Sequence, residues 1–225
     1  MIIHSEGILL KYTLFKENSA IIEVFTASKG LLTFMVSGLN RKKNTFKKAY
    51  LYPLAYLDIV FYYKENQNIK RIKEAKIQEI CLSLNTHIAK ISISQFFAEV
   101  LRKSLHEDAD EDLFGFLVQL IRTVEKADAA LLNHLPPYFL IRLAQYLGVG
   151  IFQEDAPISI FKNNENLNHY LGQLLSGNLA DLQKIALSKS DRQEVLEQLI
   201  HYYEVHLPHL GKISSHEKWK AFFAL

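Results

Sequence analysis

Two different hydrophobic periods divide the chain near residue 80. Up to Ile77, apolar and polar residues alternate in short runs that are rich in β-branched and aromatic side chains. Such alternation is typical of β-strands with one face buried. The pattern predicts five strands, at residues 2–13, 19–26, 31–37, 52–63 and 69–77.

The connections between these strands support the assignment. Ala27-Ser28-Lys29-Gly30 is a short turn in which Gly30 supplies a positive φ, so the second and third strands form a hairpin. Pro53 is tolerated because it lies at the start of the fourth strand. Five short, closely spaced strands without a long helix favour a small closed or partly closed barrel of the oligonucleotide-binding (OB) type.

From residue 78 onwards, apolar residues recur at helical spacing. Helices are predicted at roughly 87–106, from Leu113, from Pro136 to Gly148, and at about 165–176, 179–188, 191–207 and 214–224. Asp191 and Ser214 or Ser215 are the expected caps. We therefore predict an α+β protein with an OB-fold domain at 1–79 and an all-α domain at 80–225, which contains an irregular loop at 149–164.

Charge is distributed unevenly between the two parts. Residues 1–80 hold 13 Lys and Arg against 7 Asp and Glu, a net charge of +6, whereas the remainder holds 13 against 17, a net charge of −4. The two parts are thus suited to different partners. No apolar run approaches the ~18 residues of a membrane span, and the first residues do not resemble a secretion signal. We therefore expect no membrane partner and a cytoplasmic, nucleoid-associated location.

The sequence offers no catalytic constellation. Cys81 is the single cysteine, which excludes a thiolate zinc site and favours a buried structural role. His201, His206 and His209 lack the spacing and the fourth ligand of a zinc site. The acidic run Glu107–Asp112 precedes a helix and is expected to cap it. No phosphate-binding loop or nucleophile motif occurs, so we expect neither an enzyme nor a cofactor.

A basic loop is the strongest functional feature. Arg41, Lys42, Lys43, Lys47 and Lys48 fall within eight residues between two predicted strands, and Lys70, Arg71, Lys73 and Lys76 form a second basic group. Eleven of the 26 aromatic residues lie in the first 80 positions, and Tyr12, Tyr56 or Tyr62 are candidates to stack on bases. A basic patch on an aromatic-bearing barrel is typical of nucleic-acid binding, although a charge run is often only a solvated surface.

The chain resembles the bacterial RecO family of recombination mediators along nearly its whole length. The resemblance is carried by an ordered series of short matches: Glu6-Gly7-Ile8-Leu9-Leu10, Glu17-Asn18-Ser19, Val24-Phe25-Thr26, Gly30, Ser37-Gly38, Arg41-Lys42-Lys43, Leu51-Tyr52-Pro53-Leu54, Glu74-Ala75, Glu99-Val100-Leu101, Leu113-Phe114, Phe139 with Leu147-Gly148, and Lys212-Ile213-Ser214-Ser215.

The resemblance implies a non-enzymatic function in recombinational repair after DNA damage. It implies binding of single- and double-stranded DNA, annealing of complementary strands, and cooperation with RecR to load RecA onto DNA coated by single-strand-binding protein. The implied DNA-binding residues are Arg41, Lys42, Lys43, Lys47 and Lys48, with Lys11, Lys70, Arg71 and Lys73 as further members.

The resemblance also implies a site in the helical domain for the acidic, hydrophobic C-terminal tail of single-strand-binding protein. Arg102, Lys103, Arg122 and Arg142 lie beside apolar helix faces and are the candidate cations. Many members of the family carry a four-cysteine zinc module after the Leu-Gly that ends the third helix. Residues 149–164 contain no cysteine here, so zinc is not expected.

Two other functions are considered, and the second of them is disfavoured. A protein–protein adaptor with an OB-like barrel would have a basic loop only for solubility and would not bind DNA. A nuclease would need clustered carboxylates in the basic domain, where the seven acidic residues are instead spread singly.

Overall fold

A computed structural model describes residues 1–41, 46–150, 165–176 and 187–215. The chain divides into two compact units, Met1–Glu125 and Lys126–Leu225. The first contains five strands and three helices, and the second contains four helices within the described residues.

Five strands close into a barrel in the order β1-β2-β3-β5-β4. All neighbours are antiparallel except β3 and β5, which are parallel. This is the strand order of an OB fold, and it confirms the predicted fold class. The strands are β1 (Ile2–Phe15), β2 (Ser19–Thr26), β3 (Gly30–Ser37), β4 (Tyr56–Tyr62) and β5 (Ile69–Ile77).

β1 is long because it pairs with two strands in succession. Its first half pairs with β4 and its second half with β2, and the register shifts between Leu9 and Lys11. A bulge at such a position bends the strand and lets the sheet close. Gly7 lies near this bend, where a Cβ would come within 2.6 Å of Val24 Cγ1.

β4 begins four residues later than predicted. Leu54 adopts a positive φ of 66°, and the Ala55 amide donates to the Tyr52 carbonyl, so residues 52–55 form a turn. The Leu54 amide donates to the Leu9 carbonyl at 2.7 Å, which holds this turn against β1. Pro53 therefore precedes the strand instead of starting it.

Three helices follow the barrel in the first unit: α1 (Ser83–Thr86), α2 (Ile88–Ser104) and α3 (Glu111–Lys126). The Leu113 amide donates to Asp110 Oδ1 at 2.8 Å, so the acidic run caps α3 as predicted. Phe114 of α3 packs against Phe25 and Tyr56 of the barrel, with ring centroids 5.9 and 6.3 Å apart. These contacts join the helices and the barrel into one core.

Four helices form the described part of the second unit: α4 (Ala129–Leu132), α5 (Leu135–Tyr146), α6 (Glu165–Ser176) and α7 (Lys189–His206). The N-cap of α7 is Ser188, whose Oγ accepts from the Asp191 amide at 3.1 Å. The prediction of Asp191 as the cap was therefore wrong, since Asp191 lies in the first turn. The structure places Pro136 and Pro137 at the start of α5, as predicted.

Some predictions fall on residues that are not described. These are most of the loop at 149–164 and of the helices at 179–188 and 214–224. Among the helices that are described, none is long and apolar enough to cross a membrane.

Candidate nucleic-acid interface

The two described ends of the basic loop differ in their exposure and in their contacts. Arg41 and Lys48 are exposed, Lys47 is half-buried, and Lys42 and Lys43 fall outside the described residues. Phe46 is buried and meets the Tyr50 ring edge-on, with centroids 5.6 Å apart. Both rings belong to the connection between β3 and β4, so this contact packs the second end of the loop against the residues that follow it.

Asn18 fixes the first end of the basic loop to the turn between β1 and β2. The Gly38 and Leu39 amides donate to the Asn18 carbonyl at 2.7 and 3.2 Å, and the Asn40 amide donates to Asn18 Oδ1 at 2.7 Å. Asn40 Nδ2 completes the contact by donating to the Glu17 carbonyl at 3.2 Å. Two loops that are distant in sequence are therefore joined at one end of the barrel.

The outer surface of the barrel carries a row of directly opposed residues. Cross-strand pairs run around the barrel with one residue each from β2, β3, β5 and β4 and one from each end of β1: Thr13, Ile21, Met35, Arg71, Tyr62 and Ile2. Their inward neighbours Ile22, Phe34 and Phe61 are buried in the core. The row thus places one cation, Arg71, among apolar and aromatic side chains on the convex outer face of the barrel.

Three of the four further DNA-binding candidates lie at this surface. Lys11, Arg71 and Lys73 are exposed. Lys11 Nζ lies 3.7 Å from Glu23 Oε1, and Lys73 Nζ lies 3.4 Å from Glu74 Oε1. Exposed ion pairs of this kind are weak, so a phosphate can compete for both cations.

Lys70 does not belong to the exposed surface. Its side chain is only 1% exposed, because the register of β5 pairs it with the core residue Phe34. Its Nζ lies 5.3 Å from the centroid of the Tyr63 ring. Lys70 was expected among the DNA-binding residues, but in the structure its side chain is not at the surface of the barrel.

The three tyrosines predicted to stack on bases also differ in exposure. Tyr12 and Tyr62 are exposed, but Tyr56 is buried and its hydroxyl donates to Glu6 Oε1 at 2.6 Å. Burial and this hydrogen bond raise the pKa of Tyr56. Tyr56 is a structural residue and does not face solvent.

Sequence reasoning missed two exposed residues at the β1–β2 turn. Phe15 is exposed on β1, and Lys16 follows it with a positive φ of 57°. Lys16 Nζ lies 5.5 Å from the centroid of the Phe15 ring. The signal available in the sequence was an apolar pair, Leu14 and Phe15, directly before the polar turn Lys16-Glu17-Asn18.

The four candidate tail-binding cations have different surroundings. Arg102 Nε lies 3.9 Å from Glu23 Oε2 of the barrel, Lys103 pairs with Glu99 at 3.1 Å, and Arg122 Nε lies 2.7 Å from Glu79 Oε2. Arg142 belongs to the second unit, and its Nε is buried without an acceptor among the described residues.

A separate ionic cluster lines a cavity of about 370 Å³ on the outer face of β1, β4 and β5. His4 Nε2 hydrogen-bonds Asp58, and Lys76 Nζ lies 3.0 Å from Asp58 Oδ2. Burial raises the pKa of Asp58, but the hydrogen bonds from Lys76 and His4 outweigh it and hold the pKa below its usual value. Lys76 of the second basic group thus neutralises a carboxylate. In the described part of the chain, no three His, Cys, Asp or Glu side chains are placed to hold a metal ion.

A closed five-stranded barrel with a basic loop between β3 and β4, followed by helices, defines a protein of the OB-fold class. Comparison with known families narrows this class. Residues 1–81 match the N-terminal domain of recombination protein O, and residues 85–155 match its C-terminal domain. The chain belongs to the recombination protein O (RecO) family.

Individual relatives are similar to the chain along nearly their full length. The chain is 29% identical to the DNA repair protein RecO of Christiangramia forsetii, with 96% of each chain covered. It is 28% identical to the protein of the same name from Flavobacterium psychrophilum, with both chains covered completely. It is 27% identical to that of Bacteroides fragilis, with 96% of this chain and 97% of the relative covered.

Proposed function

We propose that this protein is a non-enzymatic DNA-binding and strand-annealing mediator of recombinational repair. In this proposal it acts with RecR to help load RecA onto DNA coated by single-strand-binding protein. The observation that carries the proposal is the joining of the basic loop to the β1–β2 turn by Asn18, beside the convex face that bears Arg71. The family, and relatives named DNA repair protein RecO, supply the repair context.

The chemistry of this surface is suited to DNA of any sequence. Each Lys or Arg that neutralises a phosphate releases a condensed counterion, which gives affinity without reading bases. Aromatic side chains stack on every base, so Tyr12 and Tyr62 add affinity with little sequence preference. Binding two complementary strands in this way neutralises their repulsion, which is the physical requirement for annealing.

The acidic tail of single-strand-binding protein is the proposed partner of the helices. An acidic, hydrophobic peptide needs a cation next to an apolar surface. Arg142 fits this need best, because its buried Nε has no acceptor among the residues described. In the first unit, Arg102, Lys103 and Arg122 already lie near carboxylates.

Fluorescence anisotropy with a labelled single-stranded oligonucleotide tests the DNA-binding proposal. Four phosphate contacts predict a slope of about −3 in a plot of log affinity against log salt, or a loss of roughly 50-fold between 50 and 200 mM salt. Changing Arg41, Lys42, Lys43, Lys47 and Lys48 together to alanine is expected to remove most of this dependence. Salt-independent binding, or no binding at low salt, contradicts the proposal and favours an adaptor without DNA affinity.

Lys70 and Arg71 provide a matched pair for the same experiment. They are adjacent cations, but Lys70 is buried and Arg71 is exposed on the convex face. We expect Arg71→Ala to reduce the magnitude of the salt slope by about 0.7, the value for one lost contact on a single strand. Lys70→Met is expected to leave the slope unchanged. Equal effects of the two substitutions would exclude the convex face as the binding surface.

A further inference from the structure

The last five residues of β1 leave one edge of the sheet open. Up to Ile8 this edge pairs with β4, and the Leu9 amide then donates to the Ala55 carbonyl at 3.0 Å. From Lys11 to Phe15, β1 pairs only with β2 and makes no other backbone hydrogen bond within the described residues. The segment Lys11–Phe15 is therefore an open edge that another strand can pair with.

The open edge lacks the features that usually prevent a free strand from pairing. Tyr12, Leu14 and Phe15 are 40, 55 and 46% exposed, and Lys11 is the only charged residue of the five. Proteins protect free edges with charged side chains, proline or a bulge. β5, which pairs only with β4 beyond Arg71, is protected in this way by an irregular register and by three exposed charged residues, Lys73, Glu74 and Lys76.

The two ends of the open edge restrict how a second strand can align with it. Leu9 is already bonded to Ala55, and Lys16, with a positive φ of 57°, ends the strand. In a two-fold pairing that continues a sheet, the axis passes through one residue, because directly opposed residues share a face. Thr13 is the one residue about which all five positions of the edge are paired.

The open edge is self-complementary about Thr13. On the inner face, Tyr12 would lie opposite Leu14 of a second copy, which is an apolar pair. On the outer face, Phe15 would lie opposite Lys11 of the second copy, which places a cation against an aromatic ring. Thr13 would face itself. No two like charges are opposed in this register.

The charge of the hairpin also favours a second copy over an anionic partner. Residues 11–23 contain two lysines and two glutamates and are neutral, although residues 1–80 carry a net charge of +6. A neutral edge gives no electrostatic advantage to DNA or to an acidic peptide. We propose that the open edges of two copies of this chain pair antiparallel about Thr13 and form a two-fold dimer. This proposal does not depend on DNA binding.

The paired edges are short, so the dimer is expected to be weak and to depend on concentration. Sedimentation equilibrium without DNA should give an average mass that rises from 25.9 kDa towards twice that value. We expect this rise between about 5 and 200 µM protein, the range suited to a small transient interface. It should persist at about 500 mM salt, where binding through phosphate contacts is weak.

Substitutions at Thr13 test the position of the axis. Thr13→Lys and Thr13→Glu each place two like charges directly opposite one another in the dimer, and each should weaken association by about 5-fold or more. Mixed in equal amounts, the two variants should associate at least as strongly as the unmodified chain, because opposite charges then face each other. This recovery shows that neither variant had lost its fold.

Thr33→Lys is the matched control. Thr33 is a threonine of the same barrel, but both edges of its strand are occupied there, by Glu23 and Ile69. This variant should associate like the unmodified chain. Hydrogen exchange supplies a second measurement, because the Lys11–Phe15 amides should become better protected as the unmodified protein is concentrated, and those of the Thr13→Lys variant should not.

Three results would overturn the dimer. The first is a mass that stays at the monomer value over the whole concentration range. The second is association that both Thr13 variants retain, since the interface would then lie elsewhere. The third is a monomeric chain whose Thr13→Lys variant loses binding to RecR, because the open edge would then accept a strand of another protein. None of these results bears on DNA binding, which the anisotropy experiment measures separately.

Discussion

At the scale of single residues, the surroundings of a charge decide what it can bind. Arg122 lies 2.7 Å from Glu79, and its pKa is raised, with this hydrogen bond as the largest cause. Arg142 instead has a buried Nε without an acceptor among the residues described, and Tyr138 and Tyr146 lie one helical turn to either side on α5. A buried donor that has no acceptor in the free protein gains a full hydrogen bond from a ligand carboxylate.

We therefore expect Arg142→Ala to weaken binding of the acidic C-terminal tail peptide of single-strand-binding protein by at least 10-fold, as a lost charge-assisted hydrogen bond predicts. Arg122→Ala is the matched control and should change the affinity less than 3-fold, because Glu79 already occupies this guanidinium. Isothermal titration calorimetry with the peptide measures both. A larger effect of Arg122→Ala would place the tail site in the first unit.

Residue-level predictions from the sequence were limited by the strand register. The alternation rule states that Lys70 and Arg71 face opposite sides of β5, but it does not state which of them faces the core. That choice follows from the pairing of Lys70 with Phe34 in the parallel β3–β5 ladder, which joins residues far apart in the chain. Tyr56 was misassigned for a related reason, since its core position depends on contact with Phe114 of α3.

At the scale of secondary-structure elements, the local sequence pattern was sufficient to predict an element where that element was long. β2 and β5 have the predicted bounds, because β-branched residues recur in both strands and polar turn residues precede each of them. The four-residue helices α1 and α4 are too short to show a period and were not predicted. The start of β4 was missed because the positive φ of Leu54 is imposed by contact with β1.

The turn between β2 and β3 also contacts the connection between α2 and α3. Gly30 has a φ of 64°, and a Cβ at this position would lie 2.4 Å from the Asp108 carbonyl oxygen. The next amide, that of Leu31, donates to the His106 carbonyl at 2.9 Å. Gly30 is therefore required both by the hairpin turn and by the close approach of the helical connection.

Gly30→Ala is expected to destabilise the protein by roughly 2–4 kcal/mol, from left-handed backbone strain and displacement of the Asp108 backbone. Gly115→Ala is the control, because Gly115 lies inside α3 and a Cβ there meets nothing within 4 Å. That change should stabilise the protein by about 0.5–1 kcal/mol. Urea unfolding followed by circular dichroism measures both, and a neutral Gly30→Ala would contradict the close contact.

At the scale of the whole molecule, the chain consists of two compact units, Met1–Glu125 and Lys126–Leu225. The sequence predicted a boundary at 79/80 from the change of period, which stays a prediction, whereas the first compact unit extends to Glu125. α1 and α3 contribute to this extension. The Ser83 and Leu84 amides both donate to the Glu125 carboxylate at 3.1 Å, which ties the start of α1 to the end of α3. Such long-range contacts leave no trace in a local hydrophobic period.

The second unit contains a buried histidine that makes its stability depend on pH. His134 is almost fully buried, and its Nδ1 lies 2.9 Å from the Tyr170 hydroxyl. Burial, with a smaller contribution from the charge of Arg192, lowers the pKa of His134 to about 4. The unfolded chain has an ordinary histidine pKa of about 6.5, so below this pH it binds a proton that the folded unit does not. The stabilisation is therefore present above pH 6.5 and is lost as the pH falls towards 4.

We expect this histidine to reduce the free energy of unfolding by about 2 kcal/mol between pH 7.5 and pH 5. His134→Gln should be less stable at pH 7.5, because the Gln side chain does not reproduce the imidazole packing, but it lacks this proton uptake. The difference in stability between the two proteins should therefore shrink by about 2 kcal/mol at pH 5. Scanning calorimetry at both pH values measures this difference, and hydrogen exchange of α5 and α7 assigns it to the second unit. A difference that is the same at both pH values would mean that His134 titrates normally in the folded protein.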